Sequence, residues 1–452
     1  MQKLWQKNNY NLDSALERFE TADDLVFDNY LAPFDIYGSL AHVSMLSKIG
    51  LITKKELSQV SQALVHIKDL IQDGQFNLEF GDEDIHTKIE TKVTELVGEA
   101  GKKIHTGRSR NDQVLTDLRL LTRSYLLSVN EGVIELTNLL IELAEKYAHI
   151  PMPGYTHMQK AMPSSLGMWF GSYAESLSDS LKLLNQAYEL NNQSPLGSGA
   201  GYGVNLSLDR EYTASLLGFD KVQNNSLYTQ NSKGKIESIV VFALMQVVFD
   251  ISKMSSDLLL FTTSEFNYFS IDNSIATGSS IMPQKKNLDI AELLRSKIHI
   301  MHGYFVQVYT TVMNLPSGYN RDSQDIKKPL IEALNLTTEI LEVFMVLIQK
   351  VTPNTEVLEQ AMTQELYATA TAYQYVSEGM PFREAYKKVA ENLENVDKIN
   401  SEKYVKLSTH SGSVGNLGLS SLKKVLTKQK ESLNKTQSEL NKKMERLMEV
   451  AK

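Results

Sequence analysis

The chain has 452 residues, and 46 Lys plus Arg against 54 Asp plus Glu give a formal net charge of −8. That length suggests about three domains or one large helical unit, and the acidic balance argues against a nucleic-acid protein, which carries a basic domain or stripe. Cysteine is absent, which excludes disulfides, zinc–thiolate sites, iron–sulfur clusters and a cysteine nucleophile, and fits a reducing cytoplasm.

Gly and Pro number 24 and 10, where average usage would give about 54 together. A chain this poor in breakers, with 42% apolar residues, is expected to be mostly long helices. Residues 1–10 have no apolar stretch of the secretory kind, so no export signal is expected. Residues 1–106 read as several short helices. Starts fall near Asp35 and at Thr53-Lys54-Lys55-Glu56, the spacing of a capping box. From Asp112 to His149, Val114, Leu118, Leu121, Tyr125, Ile134, Leu139, Leu143 and Tyr147 keep helical spacing. Further helices are predicted over 164–191, 236–262, 287–313 and 324–351.

The 236–262 segment is apolar on most of its circumference, yet Glu237, Gln246, Asp250, Lys253 and Asp257 interrupt it. No run reaches the roughly 18–20 residues that span a bilayer. A helix apolar all round must be covered on all sides, so a bundle shared between subunits is expected. Val351-Thr352-Pro353-Asn354 is a plausible boundary, which divides the chain into an N-terminal helical domain (1–106), a central long-helix domain (107–352) and a C-terminal helical domain (353–452). A last helix is predicted over 419–451. Leu426, Leu433, Leu440 and Leu447 recur every seven residues, but Gln429, Thr436 and Lys443 at the companion positions are polar. The pattern predicts packing by one narrow stripe and not a coiled coil.

The few breakers cluster at 98–107, 151–167, 195–203, 278–283 and 316–318. Around the first, Ser109, Arg110 and Asn111 stand at the start of the longest helix. Free backbone N–H groups and two arginines make that either an anion site or a polar cap with solvated arginines. The second holds Thr156 and His157 in a tight connection, where the histidine is either structural or catalytic. The third, Gly197-Ser198-Gly199-Ala200-Gly201, lacks the preceding strand of a dinucleotide loop and the Lys of a P-loop, so close backbone packing is expected. The fourth, Thr277 to Asn287, joins Ser279 and Ser280 to Lys285 and Lys286 just before a helix. A serine base needs a lowered pKa, which a lysine and a helix N-terminus would provide. The fifth offers donors at Tyr319, Gln324 and Lys327. His299 and His302 are three apart with no third ligand at zinc-like spacing, and no metal or cofactor is expected.

Gly278-Ser279-Ser280-Ile281-Met282-Pro283-Gln284-Lys285-Lys286-Asn287 resembles the signature loop of the fumarase/aspartase superfamily. Within it, Gln284-Lys285-Lys286-Asn287 resembles the argininosuccinate lyase family. So do His105-Thr106-Gly107-Arg108-Ser109-Arg110-Asn111-Asp112-Gln113 and Gly154-Tyr155-Thr156-His157, and the similarity runs from about residue 20 onward. The resemblance implies an all-α fold of three domains with a central bundle of long helices. It implies a cytoplasmic homotetramer whose sites draw on several subunits, with neither nucleic acid nor membrane as a partner. It also implies the reversible splitting of argininosuccinate to arginine and fumarate, the last step of arginine biosynthesis, without cofactor or metal. In that family's terms Ser279 is the base of the mobile loop, His157 acts at the departing side with Glu292 as its acidic partner, and Lys285 and Asn287 hold carboxylates and the developing charge. Ser109, Arg110, Asn111, Thr156, Tyr319, Gln324 and Lys327 match substrate-contact positions.

The chain departs from the family pattern after Trp5, where Gln6-Lys7-Asn8-Asn9 follows. Asp24 stands where a serine is usual, Tyr30 where an arginine is common, Lys88 for an asparagine and Leu288 for a proline. Asp24 can pair with a cationic substrate group, with Lys88 or with a solvated cation. Two alternatives follow: a related lyase acting on another N-succinyl amine, or a non-catalytic homologue like the lens delta crystallins. Retention of His157, Ser279, Lys285 and Glu292 weighs against the second. One expectation needs no family. The helix from Asp112 to His149 spans about 55 Å at 1.5 Å per residue, so the motifs at its two ends cannot meet within one chain.

Overall fold

The computed structural model describes residues 13–79, 81–396 and 398–450; the Trp5 departure lies outside them. The described chain is built on helices. In order, the principal ones are α1 (Ala32–Lys48), α2 (Lys54–Gln72), α3 (Ile85–Val97), α4 (Arg110–Lys146), α5 (Leu166–Asn191), α6 (Lys235–Phe261), α7 (Asp289–Thr311), α8 (Lys327–Gln349) and α9 (Leu419–Glu449). The long elements lie where apolar periodicity predicts them, with ends moved by at most three residues.

Local chemistry sets most starts. Thr53 caps α2 through the expected box: its hydroxyl accepts the Glu56 N–H at 3.2 Å, and Glu56 accepts the Thr53 N–H at 2.8 Å. Ser109 and Asp112 form the same device at α4. The start expected near Asp35 is corrected: α1 begins at Ala32, with a proline in its first turn, and Asp35 is buried inside the helix. The glycine loop behaves as backbone packing. The Gly197 and Gly199 N–H groups both donate to Asp112 at 2.9 Å, with φ of 85° and 60°. A side chain on Gly197 would meet Arg210 at 2.9 Å.

Between α4 and α5 lies a two-stranded hairpin, β1 (Pro151–Thr156) with β2 (Gln159–Ser165), where helical periodicity showed only a connection. α5 and α7 run antiparallel to α6. The Trp169 indole at the start of α5 donates to Asp257 near the end of α6 (2.9 Å), and Ser252 of α6 donates to the Arg295 carbonyl near the start of α7 (2.8 Å). The bundle therefore has two ends. One gathers the starts of α4, α6 and α8 with the end of α7. The other gathers their opposite termini with the β1–β2 hairpin, which is tied across by a 2.6 Å hydrogen bond between the Tyr155 and Tyr268 hydroxyls.

α6 is long and apolar enough to cross a bilayer, but most of it is buried within the chain. Val240, Val241, Leu244, Val247, Val248 and Ile251 are fully buried, while Phe242 and Phe249 remain 41% and 52% exposed. α9 packs by one stripe, with Leu426, Leu433 and Leu447 buried and Leu440 half-buried on the main core. A smaller, separate core forms around Met362, Leu366, Tyr367 and Val389.

Candidate active site

At the α4 start, a cavity of about 300 Å³ lies among Asp24, Asp28, Arg110, Asn111, Lys233, Tyr319, Gln324 and Lys327. Five residues named from the sequence (Arg110, Asn111, Tyr319, Gln324 and Lys327) therefore meet in one place, although more than 200 positions separate the first from the last.

Ser109 serves as the helix cap beside this cavity. Arg110 is held in the protein. Its guanidinium donates to Thr87 (3.1 Å), Glu90 (3.0 Å) and Gln113 (2.8 Å), and stands 3.5 Å from Asp84. Asp84 caps α3 by accepting the Thr87 N–H at 2.6 Å. Lys327, in the first turn of α8, is buried. Its ammonium donates to Asp24 at 2.6 Å and to Asp28. Burial alone would favour the neutral amine, but Asp28 and Asp24 outweigh it and hold the lysine charged. Gln324 donates to Asp24 (2.6 Å) and to the Glu20 carbonyl (2.9 Å). Asp24 thus pairs with Lys327 and not with Lys88, which binds Asp82 at 2.8 Å. Tyr30 stacks on Phe27.

Two further lining groups escaped the sequence analysis. Lys233, just before α6, lies over the Tyr319 ring at 4.8 Å and, among the described residues, has no carboxylate within ion-pair distance. Burial lowers its pKa to about 8, against the pull of Glu237 and Asp112. The Ser232-Lys233-Gly234 break was its only sequence signal. The second is His86, whose Nδ1 faces the buried Asp35 (3.1 Å) and Asp117 (3.4 Å). Burial would raise the Asp35 pKa, yet His86, Arg108 and Gln113 bring it down to about 2. Asp35, His86 and Asp117 are the donors close enough to hold a metal ion among the described residues. Arg108 and His86 hold Asp35 as the carboxylate, while burial and the Asp35 charge push the Asp117 pKa well up toward the neutral acid.

The remaining named residues lie at the other end of the bundle. β1 and β2 join through a two-residue turn in which His157 (φ 52°) and Met158 (φ 61°) both adopt the left-handed conformation. Hairpins favour that geometry but usually place Asn or Gly there. Thr156 and His157 are exposed at this tip. The signature loop is pinned at its base by reciprocal hydrogen bonds between Thr277 and Asn287 (3.1 and 2.9 Å). Ser279 stands within it, its oxygen accepting the N–H groups of Ile281 (3.3 Å) and Met282 (3.1 Å). Two amide donors on one hydroxyl oxygen stabilise an alkoxide. Lys285 and Glu292 are exposed, and no ion pair joins Glu292 to His157 among the described residues. The structure therefore brings Ser279, Lys285, Asn287 and Glu292 together on one loop and helix start. It leaves them a helix length away from the cavity, about 40 Å along α6.

A lyase family model matches residues 14–303. The chain is 43% identical over 416 residues to an argininosuccinate lyase of Phocaeicola vulgatus, covering 92% of this chain and 93% of that protein. It is 41% identical over 390 residues to an argininosuccinate lyase of Thermotoga neapolitana, covering 86% and 98%. Among solved structures, EDDS lyase in complex with formate superposes with a TM-score of 0.79 at 23% identity, covering 98% of this chain and 96% of that one. A class II fumarase from Schistosoma mansoni gives 0.68 at 17% identity, covering 86% and 92%. The last two are likenesses of fold.

Proposed function

The chain belongs to the argininosuccinate lyase family, of fumarase/aspartase fold, and from that premise we propose that it splits argininosuccinate reversibly into arginine and fumarate in the cytoplasm. The observation that carries this reading is the identity of 43% over nine-tenths of the chain. The geometry supports it at the level of chemistry.

The reaction removes a proton from the carbon beside a carboxylate, and the electron pair moves onto that carboxylate. Ser279 takes the proton, because the Ile281 and Met282 amides stabilise its alkoxide. Lys285 and Asn287 hold the carboxylate on which charge develops, which is the largest electrostatic demand of such a step. The C–N bond then breaks, its electrons staying on the guanidino nitrogen. His157, with Glu292 as its acidic partner, delivers the proton that this nitrogen needs. Thr156 holds the fumarate side. The cavity between Asn111, Tyr319, Gln324 and Lys327 takes the arginine side, and Lys233 supplies a cation for a substrate carboxylate. Arg110 shapes the cavity wall, and Ser109 caps the helix that presents it.

These groups meet only if neighbouring chains contribute the two ends. α6 and α7 leave Phe242, Phe249, Leu293, Ile300, Val306 and Tyr309 exposed, an apolar surface suited to burial between copies, and the assembly is a homotetramer. Fumarate release from argininosuccinate by the purified protein tests the reaction, and its absence overturns it. A second arm tests the sharing. His157→Asn and Lys327→Met are each expected to be inactive, and refolding the two together restores activity. Failure of the mixture to regain any activity overturns the shared site.

A further inference from the structure

We propose that Asp24 is a specificity-determining residue that makes the inner wall of the Arg110-end cavity a receptor for a cationic amine, not for a carboxylate. The inference rests on the cavity holding the arginine side of the substrate, as proposed above.

Lys327 and Gln324 are the donors on that wall, and both are committed. The Lys327 ammonium lies between the Asp24 and Asp28 carboxylates. Gln324 spends its amide N–H groups on Asp24 and on the Glu20 carbonyl. One ammonium between two carboxylates leaves a group of net negative charge. Glu20 and Asp84 line the same cavity, and Arg321 already answers Glu20 at 3.3 Å. A ligand carboxylate reaching Lys327 would have to displace Asp24 and then lie against Asp28 in a half-buried site, where repulsion between like charges is weakly screened. An ammonium meets the opposite situation at Asp24 and Asp28, whose remaining lone pairs face it; Lys233, on the Tyr319 side of the cavity, is the cation left for a carboxylate. Specificity here is built by repulsion as well as attraction.

The position of Asp24 explains why one residue controls the wall. It contacts both donors at once, Lys327 through one oxygen and Gln324 through the other, each at 2.6 Å. Removing its charge while keeping its shape leaves one acceptor in place of two, which releases one of the donors to a ligand carboxylate, and Asp28 alone then neutralises Lys327.

The probes are L-arginine and agmatine, which differ by the α-carboxylate. Calorimetry measures both against the wild-type protein and Asp24→Asn, with Asp24→Ser as a second variant should the first fail to fold. Wild-type protein is expected to bind agmatine within about tenfold of L-arginine. In Asp24→Asn the ratio moves about tenfold toward L-arginine, the size expected when one charged contact is exchanged. A wild-type preference for L-arginine above about a hundredfold overturns the proposal, as does a ratio unchanged in both variants. Fumarate release from argininosuccinate is measured on the same samples. If fumarate appears but neither amine binds, the assignment of this wall fails and the lyase reading stands. If the ratio shifts as expected without fumarate release, the lyase reading fails and the role of Asp24 stands.

Discussion

At the Arg110 end of the bundle, Lys327, Arg110 and Arg321 each face a carboxylate of the same chain. At the Ser279 end, Lys285 and Glu292 stand exposed, with no ion pair to the rest of the chain among the described residues, and His157 sits at the tip of a hairpin. The first end is a cavity whose charges are already arranged within one chain, at the cost of desolvating them. The second is a set of reactive groups on a pinned loop and a turn, with no wall opposite. In the proposed shared site, one chain supplies the binding groups and another the chemistry.

The sharpest way to break that comparison is to remove the proposed base. Ser279→Ala is expected to lower turnover about a thousandfold, while thermal unfolding stays at the wild-type temperature because the loop packs on little of the core. Near-normal turnover would remove Ser279 from the mechanism. Lys327→Met, inactive on its own, should act on folding as well. It leaves Asp24 and the buried Asp28 facing each other without a cation, at a cost of about 3 kcal/mol in denaturant unfolding. Adding Asp24→Asn to the same chain should recover part of that loss, and no recovery would show that the two carboxylates do not interact.

The smallest effect expected is a pH dependence from Lys233. Its folded pKa of about 8 lies below that of a free lysine, so the ammonium is present below about pH 8 and lost as pH rises through it. The KM for argininosuccinate is therefore expected to increase a few-fold above that pH as a substrate carboxylate loses its partner. Lys233→Arg, which stays charged, should flatten the profile. Stability moves the other way. The unfolded lysine binds a proton that the folded one gives up, so the burden of burying this charge falls as pH rises from about 8 toward 10.5. A KM profile identical in wild type and Lys233→Arg would exclude Lys233 from binding.

Much of the long-helix scaffold was legible because the apolar positions of α4 to α8 repeat over enough turns to outweigh local ambiguity. The breaker clusters marked the helix ends where the candidate site residues lie, and Ser109, Thr53 and the glycine loop carried their own local signals. The β1–β2 hairpin was not legible. Its strands are short and include Pro153, Gly154 and Pro163, and its turn uses His157 and Met158 in place of the usual glycine or asparagine. Lys233 was missed because a single lysine at a helix start has no pattern; only its half-buried place over the Tyr319 ring distinguishes it.

The sequence by itself determined the order of the helices, where they stop and which residue types gather at the stops, since these follow from local propensity, periodicity and capping. Only the tertiary structure decided which stops share an end of the bundle, because that depends on the antiparallel packing of α5 and α7 on α6. It also decided the partner of Asp24. From the sequence, a cationic substrate group was as good a partner as Lys88 or a solvated cation; the fold brings Lys327, some 300 positions away, to 2.6 Å. Charge pairing in a buried site is fixed by which chain segments meet there, and no local pattern records that meeting.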